Sequence, residues 1–408
     1  MMFVRGVDST ATAARRSAEA SATDRSLFQP RHRRAAAAAA GVLTALTLVA
    51  CTDGTDTTPN PQSTAPVAGP GVTVTGSVWV ADEGGDSLTV LDAATSDVIA
   101  TVTGVDSPHN VQVGRDGATV YTVSGDDRVI AVDPQTYTVT AAAPTGVAPA
   151  HVIEAPNGKV YVTDAGDGTI SVFDAHGLRP AGRITVGGMP HGLRPSGDGS
   201  VIVVADTEAG VLHLVDPATD RVTGSVPVGT GPVQVAVTGD GRFAYTGISD
   251  PAAVAEVDLA ARSVVGTVAV PSVPVQLFLA PDEKTVVSAD QGTREQPGRS
   301  LSVIDTETMT VRGTVTTGAG PHGVVIDPSG TRAWVTNIYD NTVSVVDLPS
   351  LSVVATVPVG ERPNGISFSP HPPATADNRT GLSVPATPEP ENPIGESPNG
   401  VHPGEQGH

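Results

Sequence analysis

The chain runs to 408 residues, with 23 lysines and arginines against 43 aspartates and glutamates, a formal net charge of −20. That balance repels nucleic acid and anionic lipid head groups, keeps the protein soluble, and concentrates cations around it. A single cysteine excludes an internal disulfide.

In chain order, Arg31, Arg33 and Arg34 precede an apolar run from Ala35 to Ala50 that ends at Cys51. A basic flank before a short apolar stretch reads as an export signal over residues 1–50, too short for a membrane span. Leu48-Val49-Ala50-Cys51 resembles a bacterial lipobox. The resemblance implies cleavage before Cys51 and a diacylglyceryl group on its thiol, which holds the protein to the outer face of the membrane. A free thiol behind a membrane anchor is the competing reading. The alanines after Arg33-Arg34 make a poor twin-arginine signal, so the export route stays open. Removing residues 1–50 takes away seven arginines and three acids, leaving 16 basic and 40 acidic residues. Residues 51–75, rich in Thr, Pro, Asp and Gly, read as a flexible tether.

From residue 76 to 370 the chain repeats itself. An aspartate closes a short apolar run at Asp92, Asp133, Asp174, Asp216, Asp258, Asp305 and Asp347, in steps of 41, 41, 42, 42, 47 and 42 residues. A proline follows each aspartate by 16 residues, from Pro108 and Pro149 to Pro321 and Pro363. Between Pro321 and Gly360 one unit shows four short β-rich runs separated by three turn signals, an antiparallel meander. Asp-Gly and Asn-Gly dipeptides turn the first hairpins of other units, as at Asp116-Gly117 and Asn157-Gly158. Strands that are valine-rich on both faces must be covered by their neighbours, and the twist of each sheet closes such a stack radially. The expected fold is therefore all-β, a seven-bladed β-propeller of four-stranded antiparallel blades, with helix nearly absent after residue 51.

Pro363-Asn364-Gly365-Ile366-Ser367-Phe368 opens a first strand with no second strand after it, while the first unit begins at a second strand, Val78-Trp79-Val80. The C-terminal strand is thus expected to complete the first blade and hide its edge. A competing closure uses Val72-Thr73-Val74, which lacks the Pro-polar-Gly opening. The tail, 371–408, holds eight prolines and almost no apolar periodicity and reads as disordered. Its His371, His402 and His408 are a remote alternative for gathering metal.

Val160-Tyr161-Val162-Thr163-Asp164 and Trp334-Val335-Thr336-Asn337, each followed by a turn and an apolar-Asp strand, resemble the YVTN repeat of YncE-like seven-bladed propellers. The resemblance covers about residues 76–370; it implies the fold and leaves function open, because propellers host unrelated activities.

The fixed prolines sit between blades, so seven loops converge on one mouth of the central channel. One place after the proline stand His109, Ala150, His191, Val233, Val275, His322 and Asn364. Two places after stand Asn110, His151, Gly192, Gln234, Gln276, Gly323 and Gly365. The third row, Val111 to Ile366, is wholly apolar and reads as core between blades; the fourth is mixed and includes Gln112 and Arg194. Four of ten histidines share this station. The imidazoles can be a repeat consensus that satisfies neighbouring loops, part of a small-ligand or peptide pocket with the amides and Arg194, or metal ligands. By symmetry His109, His191 and His322 are expected to be equivalent in pose and separated around the ring, which argues against one mononuclear metal site; no cofactor is expected.

Glu154 stands in an otherwise apolar or proline row and needs a partner if buried, with Arg194 as candidate. Five extra residues enlarge a hairpin loop at Gln291 to Arg299, where regular scaffolds often carry binding. No catalytic motif is present: no His-Glu-x-x-His, no phosphate-cradling glycine loop, no Gly-x-Ser-x-Gly elbow. The expected function is a monomeric, membrane-anchored extracytoplasmic binding or interaction scaffold. Its partner is a small polar ligand or another envelope protein, and not nucleic acid. A lactonase-like propeller hydrolase and an extracytoplasmic metal-binding protein are the alternatives.

Overall fold

The computed structural model describes residues 74–375 and 379–384. The expected signal peptide, Cys51 and nearly all of the tether lie outside the described residues, as do His402 and His408. Seven antiparallel sheets of four strands follow one another, and no helix occurs among the described residues. Each sheet is one blade.

The first blade is closed from the far end of the chain. Its inner strand is Pro363–Ser369, paired antiparallel with Ser77–Asp82, and Ile366 stands opposite Val80. Blades two to seven each use four consecutive strands, beginning at Val111, Pro149, Pro190, Val235, Pro274 and Pro321. The tail does not leave the propeller at residue 370. Arg379–Gly381 adds a fifth strand to the first blade, parallel to Val98–Thr103. Tyr137 donates its hydroxyl to the carbonyl of Ala374 at 2.8 Å, and Leu382 and Val384 pack on the core beneath. This stretch covers an outer edge that would otherwise present unpaired backbone groups.

The predicted core row behaves as alternation requires. Val111, Val152, Leu193, Val235, Leu277, Val324 and Ile366 fall in seven different apolar clusters, each spanning the seam between two blades. Inner and central strands are buried on both faces, whereas an outer strand such as Ser263–Ala269 alternates exposed and half-buried. The seams hold the ring together because no blade buries both its faces alone.

A second device fixes the loops that carry the prolines. At or near the end of the second strand of five blades stands a buried Asp82, Asp164, Asp206, Asp290 or Asn337. Asp82 accepts from Ser87 (3.2 Å) and Thr89 (2.6 Å) on the next strand, and Asp164 accepts from Thr169 (3.0 Å) and Ser171 (2.7 Å). Asn337 does the same work in reverse, donating to Thr342 and Ser344 at 2.9 Å each. The backbone N–H of Gly360 donates to Asp82 and that of Gly146 to Asp164, so each acid also ties down the loop entering an inner strand. Burial outweighs these bonds and pushes the carboxyls of Asp82 and Asp290 up to about 7.

Candidate functional site

The station after the proline is delivered by an irregular piece of backbone. Ladder pairing is interrupted between Pro149 and Val152, between Pro190 and Leu193, and between Pro321 and Val324. The two residues after each proline therefore leave strict alternation, and both rows can turn toward the channel mouth. The glycine of Pro-His-Gly, or of Pro-Asn-Gly in the closing strand, makes room for this. A Cβ on Gly192 would collide with the side chain of Gln234, and one on Gly365 would come within 2.7 Å of Cα of Asn110. The threonine of the YVTN-like strand then pins neighbouring stations together. Thr163 accepts from the backbone N–H of His151 (3.1 Å) and donates to the carbonyl of His191 on the next blade. Thr336 likewise accepts from Gly323 (2.7 Å) and donates to the carbonyl of Asn364 (2.8 Å).

His109, His151 and His191 stand on blades two, three and four, and the structure brings them together. Ring centroids are 5.8 Å apart for His109 and His151, 5.2 Å for His109 and His191, and 5.0 Å for His151 and His191. One nitrogen from each lies within 4.8 Å of the other two, and all three residues are buried. This corrects the expected separation around the ring. Symmetry fails because the blades are consecutive and because His151 occupies the second row while its partners occupy the first. The poses also differ. His191 donates from Nδ1 to the carbonyl of Val233 at 3.2 Å, which leaves its Nε2 as the lone-pair nitrogen. His322 bonds the amide oxygen of Gln291 through Nδ1. The Nδ1 of His109 meets the amide of Asn364 at 3.0 Å and Glu83 at 3.5 Å. Gln234 sets its amide 3.3 Å from Nδ1 of His151.

His151, His191 and His322 are neutral at pH 7. Burial, reinforced by the positive fields of neighbouring rings, holds His191 and His322 down at about 3 and His151 well below the ordinary value. Arg194 adds to the field on His151, and burial lowers its own guanidinium to about 10. Its one hydrogen bond among the described residues is to the carbonyl of Leu193. Glu83 is the countercharge. Burial pushes its carboxyl up, but His109, Arg362 and Asn364 outweigh that and bring it to about 2.

The remaining predicted residues lie at the mouth but work between blades. Asn110 accepts from the backbone of Val152 (3.3 Å). Gln112 donates to the carbonyl of Val113 (3.0 Å) and faces Ser367 (3.4 Å). Gln276 is buried with its amide nitrogen unpartnered among the described residues. Glu154 does not pair with Arg194: it accepts from the backbone N–H of Arg115 at 3.1 Å, a neighbouring turn that satisfies the carboxylate without a cation. Sequence reasoning missed Glu83, and it saw Gln291 only as part of a long loop. Both directly follow a buried acid near the end of a second strand, Asp82 or Asp290, and both bond the first-row histidine of the next blade. That shared phase was the available signal.

Residues 113–278 match the family model of the YNCE-like beta-propeller. No curated protein matches the chain significantly. Among solved structures it is similar to the hydrazine synthase of Kuenenia stuttgartiensis (20% identity, TM-score 0.59), over 66% of this chain and 91% of that one. A functionally unknown protein from Desulfotomaculum acetoxidans aligns at 14% identity and TM-score 0.64, over 73% and 99% of the two chains. The dihydro-heme d1 dehydrogenase NirN, in complex with DHE, aligns at 16% identity and TM-score 0.56, over 76% and 78%. At such identities these likenesses establish the propeller and nothing of its chemistry.

Proposed function

We propose that this chain is an extracytoplasmic propeller, tethered to a membrane through a lipid on Cys51, that binds a small polar ligand or ion at the histidine-bearing mouth of its channel. The observation that carries the reading is the concentration of buried polar atoms there with no protein partner among the described residues. Nε2 of His151, Nε2 of His322, Nε2 of Gln276 and Oδ1 of Asn364 are all of this kind. Each such atom costs about 1–3 kcal/mol when left unpaired, a cost that a bound polar ligand removes. The seven-fold scaffold supplies rigid walls, so specificity rests on the few side chains that break the repeat. The surplus of acidic residues favours a cation or a polar molecule over a polyanion.

The test uses protein purified from its own membrane fraction and examined by native mass spectrometry. The reading expects a mass increment on Cys51 from acyl chains and a separate non-covalent occupant, with the occupant lost in Gln276→Leu. Cys51→Ala should release the protein from the membrane. An unmodified Cys51 refutes the anchoring, and a bare chain at every preparation refutes the binding site.

A further inference from the structure

We infer that His109, His151 and His191 form a site for one transition-metal ion that prefers imidazole nitrogen, Zn2+ or Cu2+, with an open fourth position. The inference deepens the binding-site reading above by naming the class of ligand. Three nitrogens already lie within 4.8 Å of one another. Tetrahedral zinc, with bonds of about 2.0–2.1 Å, wants its ligand nitrogens about 3.3 Å apart. The remaining difference, about 1.5 Å, is of the size that small side-chain torsional adjustments span.

Four further observations favour a metal over an organic guest. The three rings are buried, which shields an ion held between them from competing water. The donor set is all imidazole, with no thiolate and no carboxylate among the three, which selects zinc or copper over calcium or magnesium. Outer groups fix the ligands as metal sites require. The carbonyl of Val233 holds the proton on Nδ1 of His191, and Glu83 stands behind His109 as a carboxylate. His151 is the adjustable member. Its coordination through Nε2 needs a proton on Nδ1, and therefore a turn of the Gln234 amide, whose oxygen otherwise accepts from Val235 at 2.9 Å. Finally, Arg194 stands near enough to act electrostatically on His151, and a buried guanidinium beside the site suits a small anion as the fourth ligand.

Among the described residues no second cluster of three such ligands occurs. A cavity of about 370 Å3 between blades four and five is lined mostly by aliphatic and small residues, with Asp216 its one charged group.

The experiment takes the full mature protein in detergent, stripped with EDTA and dialysed, and titrates it calorimetrically with ZnCl2 and, separately, CuCl2. One equivalent should bind with a dissociation constant at or below about 1 μM, and His151→Phe should weaken it at least about 100-fold. Glu83→Gln should weaken it about 10-fold while the fold stays intact by circular dichroism. X-ray absorption on the wild-type complex, which needs no variant to fold, should show three imidazole nitrogens at about 2.0 Å. Absence of saturable binding overturns the inference. So does affinity unchanged in His151→Phe, or affinity lost instead when His371, His402 and His408 are all replaced by alanine. If metal fails to bind while native mass spectrometry still finds an organic occupant, the binding-site reading stands and the metal assignment falls. If neither is found, both fall.

Discussion

Asp82→Asn should make the propeller more stable at neutral pH and leave it unchanged in acid. Asp82 is wholly buried, and its carboxyl is pushed from 3.8 up to about 7 chiefly by burial. The folded state therefore keeps a proton that the unfolded chain has already released. Between those two values the wild type loses stability as pH rises, and above about 7 the loss is complete. The interval corresponds to about 4 kcal/mol, an upper bound because local hydration can relax around the charge. Asparagine carries no such charge, and the chain shows that it fits. Asn337 holds the same place in blade seven and bonds Thr342 and Ser344 as Asp82 bonds Ser87 and Thr89. Thermal unfolding of both proteins at about pH 4 and about pH 7.5, with chelator present, measures the difference. The variant should match the wild type in acid and exceed it at the higher pH by about 2–4 kcal/mol. Equal destabilisation at both values would show that Asp82 is held as a needed anion, and would refute the reasoning.

Two further outcomes follow from the same structure. His191 and His322 are held neutral, so their contribution is complete above the unfolded value of 6.5 and is lost as pH falls toward about 3; burial holds His151 down in the same direction. In metal-free protein, His191→Gln should reduce the acid slope of stability by about 1.4 kcal/mol per pH unit, measured by denaturant unfolding between about pH 6 and about pH 4.5; an unchanged slope contradicts the assignment. Trp334 is fully buried at the seam that closes the ring and stacks on Phe368 with centroids 5.6 Å apart. Trp334→Ala should cost about 3–5 kcal/mol and accelerate hydrogen exchange first in the strand from Ser77 to Asp82, whereas uniform acceleration in all blades would argue against a local seam.

The number of blades, their four-strand plan and the closure by Pro363–Ser369 were legible in the sequence, because each repeat must write its own strands, turns and seam residues into the chain. Val111 to Ile366 could be assigned to the core from alternation alone, since a strand has only two faces. The histidine station was legible as a place, and three of its rings, His109, His151 and His191, do meet. What could not be read was convergence. His109, His151 and His191 come from segments about 40 residues apart, and their distance depends on the curvature of the ring and on an interruption of the ladder after each proline. The partners of those rings were hidden for the same reason: Glu83 reaches His109 across a seam, and Gln291 reaches His322. Periodicity fixes what each blade contains; only closure of the ring decides which blades' side chains meet, because that distance is set by packing between repeats and is encoded in no single one of them.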